Sequence, residues 1–307
     1  MTKQPALDTP LCFVHLQKTG GTSLSRCLAS ALRDHPVFLD LDVNDLEQTI
    51  LSGASGVLYA GHFWRSLRHI LPSDTRYITV LREPTSRIIS AFHHDQRQRR
   101  FEGTPDEELG RLPFEEAVFH PHLTNYYWNA QAIHLAAHSK SWQGNQVRDK
   151  LKDSRAIEEY FCQCALETLD NFACVGVTEY LDEFVALLAS RFDLHGCPQI
   201  GRLSVDPEQR STTVHLNEAA LNRLLWSTRV DAYLHRLAEQ RFWKDFEQLG
   251  LPLCRDKRPL HLFESSPKEI LSRTPHRDSA DSHLAGNAQA LKPTSPSKSS
   301  SPKKKPI

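Results

Sequence analysis

Short apolar runs alternate with helix-period segments along the first hundred residues, and that alternation admits few folds. Leu11-Cys12-Phe13-Val14, Val37-Phe38-Leu39, Gly56 to His62 and Arg76 to Arg82 each read as strands. The last of these is the richest in β-branched and aromatic residues. Between the runs, Leu24, Leu28, Ala31 and Leu32 keep helical spacing, as do Val43, Leu46, Ile50 and Leu51. The same reading predicts a short helix over 63–71, stopped by Pro72, and a longer one over 85–100 behind Pro84. Phe172 to Val177 returns to strand character, followed by the helical stripe Leu181, Phe184, Val185, Leu188 and Phe192. Strands separated by helices imply an α/β chain with a central parallel sheet flanked by helices. In such sheets ligands gather at the carboxyl ends of the strands. Lys18, His62 and Arg82 all follow strand ends and are expected to meet in one crevice.

The remainder of the chain has a different texture. Residues 101–170 read as a helical insertion without convincing strands, and 195–211 as a loop. Two helices follow, over 217–229 and 230–249. From Glu264 the sequence is Ser, Pro, Lys and His with almost no apolar periodicity. It cannot bury enough surface to order itself, so one domain over 1–263 and a disordered tail over 264–307 are expected. The tail carries eight Lys or Arg against four Asp or Glu. Since the whole chain has no net charge, the folded part is mildly acidic and any anion site in it must be local. Nothing global points to nucleic acid. The seven Cys lack metal-site spacing and read as buried thiols. Met1 to Pro10 is polar and has no apolar core of a signal peptide or anchor, so no membrane span and a cytoplasmic location are expected.

The loop His15-Leu16-Gln17-Lys18-Thr19-Gly20-Gly21-Thr22-Ser23 lies between the first strand and the first helix. That arrangement aims free backbone N–H groups and the helix dipole at an anion, and Gly20 and Gly21 allow close approach. Lys18 adds a point charge, and Thr22 and Ser23 add hydroxyls. An ordinary Gly-containing turn with a Ser/Thr helix cap is the alternative. The nucleotide-triphosphatase order GxxxxGK[ST] is absent, because Lys18 precedes the Gly pair. A second constellation is Arg82-Glu83-Pro84-Thr85-Ser86-Arg87-Ile88-Ile89-Ser90. Arg82 offers a fork of donors at a strand end, and Ser90 stands two turns into the next helix. A third is Gly61-His62-Phe63, where an imidazole titrating near neutrality suits a general base. His93 and His94 are rival bases, and Arg87 is either an anion contact or an ion-pair partner.

Together the loop and the Arg82–Ser90 spacing resemble the two phosphate motifs of sulfotransferases that use 3′-phosphoadenosine 5′-phosphosulfate (PAPS). The resemblance is to the carbohydrate branch with the heparan-sulfate 2-O- and 6-O-enzymes and their bacterial relatives, and it covers residues 10–250 in patches. It implies a P-loop-like sheet and a sulfuryl transfer to a hydroxyl, that of a saccharide, without a metal. It further implies that Lys18, Thr19, Gly20, Gly21, Thr22 and Ser23 hold the 5′-phosphosulfate, that Arg82 and Ser90 grip the 3′-phosphate, and that His62 and Lys18 are catalytic. Asn129 and Gln131 resemble an Asn/Gln pair near the acceptor or nucleotide. Gln17 replaces a Pro common among bacterial relatives, and 101–170, the expected acceptor side, matches no family pattern. A P-loop kinase, which needs magnesium, and a catalytically inactive nucleotide-binding scaffold are the alternative readings.

Overall fold

A computed structural model of the chain describes residues 9–121, 123, 127–144, 151, 153–194 and 216–252. Five strands form one sheet: β1 (Leu11–Val14), β2 (Val37–Leu41), β3 (Leu58–Gly61), β4 (Arg76–Leu81) and β5 (Cys174–Val177). Their order across the sheet is β2-β3-β1-β4-β5, with every pairing parallel. The central strand β1 is buried at all four positions, which is why it reads as an unbroken apolar run rather than an alternating one. The edge strand β2 is half-exposed and slips register between Phe38 and Leu41. From β1 the chain crosses to the β2 side, whereas from β4 it crosses to β5, so the topological switch lies between β1 and β4.

The helices are α1 (Gly21–Ala31), α2 (Val43–Leu51), α3 (Pro84–Arg97), α4 (Phe114–Ala117), α5 (Ala130–Ala136), α6 (Ser154–Asn171), α7 (Leu181–Phe192), α8 (Glu218–Ser227) and α9 (Arg229–Gln248). The main core is built on the sheet and takes in Phe13, Leu24, Leu28, Leu46, Ile78, Phe184 and Phe242. A second core forms on α3, where Phe92 packs against Phe101 and Phe114 and is joined by Leu109, Tyr127 and Leu224. Among its described residues, 101–170 is helical and contains no strand. The expected tail, 264–307, and the expected 195–211 loop fall outside the described residues.

One expected element is absent. Residues 63–71 make isolated turns instead of a helix. A helix there would use the Phe63 carbonyl to accept from the Leu67 amide. That carbonyl is instead taken by two imidazoles, His134 Nε2 at 2.7 Å and His138 Nε2 at 2.6 Å. The side chains of Phe63, Leu67 and Leu71 are still buried, so the apolar spacing is satisfied without helical backbone.

Candidate active site

The loop after β1 is held by its own backbone. Lys18 (φ 64°) and Gly20 (φ 79°) both take the left-handed conformation. For Lys18 that is a costly choice, and the loop over-determines it with hydrogen bonds. Thr19 Oγ1 donates to Leu16 O at 2.9 Å, Arg82 Nη1 donates to Lys18 O at 3.1 Å, and Thr178 Oγ1 lies 2.7 Å from Thr19 O. Gly20 stands at the N-terminus of α1, where no side chain caps the helix. Gly21 is required by crowding: a Cβ there would fall 1.9 Å from the His15 ring. Thr19 and Ser23 are buried, while Lys18 and Thr22 are half-buried. Burial lowers the Lys18 pKa, and the charges of Arg97, Arg82 and Arg100 push the same way against an opposing pull from Asp95. Such crowding of cations suits a site that takes a polyanion.

His62 and His15 emerge side by side from β3 and β1, because Val14 and Gly61 are in register. Their rings stack with centroids 4.2 Å apart. His62 Nδ1 lies 2.8 Å from His15 O; a carbonyl only accepts, so Nδ1 carries the hydrogen and Nε2 keeps its lone pair. Burial lowers the His62 pKa, partly offset by the His15 carbonyl and by Asp40. His15 is buried and pushed down to about 3, chiefly by burial and then by His62 and Lys18. The pair is therefore neutral at pH 7, with His62 the accessible member.

Arg82 leaves β4 across the switch from Lys18. Its peptide is clamped by one side chain: Gln131 Oε1 accepts from Arg82 N and Gln131 Nε2 donates to Arg82 O, each at 2.9 Å. Glu83 caps α3 by accepting from Thr85 N at 2.9 Å and Ser86 N at 2.7 Å. Glu179 accepts from Glu83 N at 2.9 Å and lies 3.1 Å from His235 Nε2. Burial lowers the Arg82 pKa while Glu179 and Glu83 support its charge. Ser90 is half-buried on α3, and its hydroxyl hydrogen-bonds to no described residue.

The remaining candidates separate. Burial lowers the His94 pKa, and Lys18, Arg100 and Arg97 push the same way against a pull from Asp95, so its imidazole is within electrostatic reach of the loop. His93 faces the second core, beside Phe114 and 3.3 Å from Gln96 Oε1. Arg87 is buried, 5.8 Å over the Tyr127 ring, and its charge helps Asp231 against a burial that raises that carboxyl's pKa. Asn129 is fully buried, accepting from Val230 N at 3.0 Å and donating to Glu158 at 3.0 Å, so it braces helices rather than a ligand. Among the described residues no group of three or more His, Cys, Asp or Glu could hold a metal. None of the described helices is long and apolar enough to cross a membrane.

Residues 61–301 match the family model described as galactose-3-O-sulfotransferase. The chain belongs to this family of carbohydrate sulfotransferases. The matched span takes in His62, Arg82 and Ser90 and begins after the Lys18 loop. Human heparan-sulfate 6-O-sulfotransferase 3 is 25% identical over 276 residues, which cover 76% of this chain and 57% of that protein. The chain thus spans little more than half the length of that relative. Within this family member, sequence reasoning missed Arg97, Arg100 and Thr178, and it singled out Gln131 without the clamp that Gln131 places on Arg82. The first two carried a signal, the basic run Arg97 to Arg100 directly after α3; the others are separated from their partners by long stretches of chain.

Proposed function

We propose that the chain transfers a sulfuryl group from PAPS to a hydroxyl of a saccharide. One observation carries the reading: the Lys18 loop, His62 and Arg82 meet at the carboxyl ends of the three adjacent strands β3, β1 and β4, at the switch. In this reading Lys18, the N–H groups of Gly20 to Ser23 and the Thr22 hydroxyl hold the 5′-phosphosulfate. Arg82 and Ser90 take the 3′-phosphate, with Gln131 fixing the peptide from which the guanidinium springs.

His62 Nε2 accepts the proton of the acceptor hydroxyl as that oxygen bonds to sulfur. The bond from sulfur to the bridging phosphate oxygen breaks, and Lys18 offsets the charge left on that oxygen. The products are a sulfate ester and adenosine 3′,5′-bisphosphate. His62 acts by proton transfer, while the loop and Arg82 act by position and charge. A depressed His62 pKa keeps the base unprotonated at neutral pH. The decisive test is calorimetric titration with adenosine 3′,5′-bisphosphate beside AMP and ATP–magnesium, each with and without EDTA. Tight, metal-independent binding that requires the 3′-phosphate is expected. Preference for ATP–magnesium would replace this reading with a kinase.

A further inference from the structure

All five tryptophans lie among the described residues, and Trp64 is the only exposed one, at 53%. It stands two residues beyond His62. Between them Phe63 is fully buried and anchors the segment to the core, while His62 is half-buried and Trp64 exposed.

Exposure here does not mean freedom. One face of the indole lies on the His134 imidazole, with centroids 4.2 Å apart and planes 27° from parallel. His134 in turn stacks on His138, 5.9 Å away and 10° from parallel. Both imidazoles are buried, and both point Nε2 at the Phe63 carbonyl. That double clamp fixes the peptide between His62 and Trp64 and gives the indole a rigid back. Burial holds both histidines well below their ordinary pKa, so the backing is neutral.

A rigid, half-exposed aromatic plane next to a hydroxyl-activating base has a natural occupant. The C–H face of a pyranose ring is apolar and flat enough to cover an indole, and stacking leaves the sugar hydroxyls free at the rim. We propose that the outer face of Trp64 is the acceptor platform, stacking a pyranose ring so that one of its hydroxyls reaches His62. The proposal rests on the sulfotransferase reading of His62.

The test uses the full chain saturated with adenosine 3′,5′-bisphosphate and titrated with N-acetyllactosamine, a heparan-derived hexasaccharide and p-nitrophenol. Tryptophan fluorescence and saturation-transfer NMR report binding in the parent, Trp64→Phe, Trp64→Ala and a Trp226→Phe control. A saccharide is expected to change the fluorescence of the parent and of the control but not of Trp64→Phe. Trp64→Ala is expected to weaken that saccharide at least about tenfold and leave bisphosphate affinity unchanged. Trp64→Phe keeps most of the affinity, which a purely structural role would not require. Saccharide affinity indifferent to Trp64, or binding of the phenol alone, overturns the platform while the donor reading survives. If neither saccharide binds while the bisphosphate does, the platform is likewise overturned. Failure of the bisphosphate itself to bind overturns the donor reading and the platform with it.

Discussion

The carboxyl ends of the sheet and the helical layer beside them treat polar groups in opposite ways. At the sheet ends the backbone is tied down, by Thr19 to Leu16, Arg82 to Lys18 and Gln131 to Arg82, while reactive atoms are left to face outward. The Lys18 ammonium and His62 Nε2 belong to this group. In the helical layer the polar side chains consume one another. Asn129 joins Glu158 to the start of α9, Arg229 pairs with Glu158, and Asp231 accepts from Gln131 N at 3.2 Å and Ala132 N at 2.7 Å to begin α5. Both regions are rich in buried polar residues. The first leaves a cation and a base, Lys18 and His62, only half-buried, whereas Asn129, Glu158 and Asp231 in the second are fully buried among helices, and that distinguishes a site from a brace.

Substitutions can break this contrast, and the largest effects are expected at the sheet ends. His62→Ala is expected to lower kcat by roughly 100- to 10,000-fold, and Lys18→Ala by roughly 100- to 1,000-fold. For His62→Ala, calorimetry is expected to find adenosine 3′,5′-bisphosphate affinity nearly intact; turnover near the parent rate would remove His62 as the base. Arg82→Ala is expected to cost about 1.5–3 kcal/mol of nucleotide binding, most of it in the preference for adenosine 3′,5′-bisphosphate over AMP and the rest through the lost tie to Lys18 O. An unchanged preference would mean that the 3′-phosphate sits elsewhere.

In the helical layer the expected effect moves from binding to stability. Asn129→Ala strands two α9 amides and takes one donor from Glu158, costing about 1–3 kcal/mol of folding free energy, or roughly 2–4 °C of Tm per kcal/mol. Thermal unfolding measures this, and nucleotide affinity in the folded protein is expected to be unaffected. Gln131→Ala tests the seam between the regions: a modest loss of Tm together with a loss of nucleotide affinity smaller than that of Arg82→Ala. A Gln131 variant that altered stability alone would place it wholly with the braces.

The smallest effects concern pH. The folded-state pKa of His15 is about 3 against an ordinary 6.5, so the unfolded chain binds more protons between those values. The stability linked to His15 is therefore complete above about 6.5 and is lost as pH falls towards 3. Denaturant melts across that window are expected to weaken progressively, and less steeply in His15→Asn. Turnover is expected to fall on the acid side with a midpoint below the usual imidazole value, since burial depresses His62 and only its neutral form accepts a proton. An acid limb at or above the ordinary value would contradict that environment.

The sequence by itself determined the parts whose physics is local. Continuous apolar runs announced buried parallel strands, Gly20 and Gly21 marked the turn between strand and helix, and Arg82 and Ser90 lie on one strand end and the helix after it. Local pattern misled at 63–71, where helical spacing was correct but two distant imidazoles captured the carbonyl that a helix needs. Tertiary structure alone decided the rest. It put the His15 ring where a Cβ on Gly21 would stand, packed His93 beside Phe114 in the second core, and brought Gln131 to Arg82 across 49 residues. Those outcomes depend on which strand lies beside β1 and which face of α3 meets the sheet. Periodicity along one segment carries no record of the segments that pack against it.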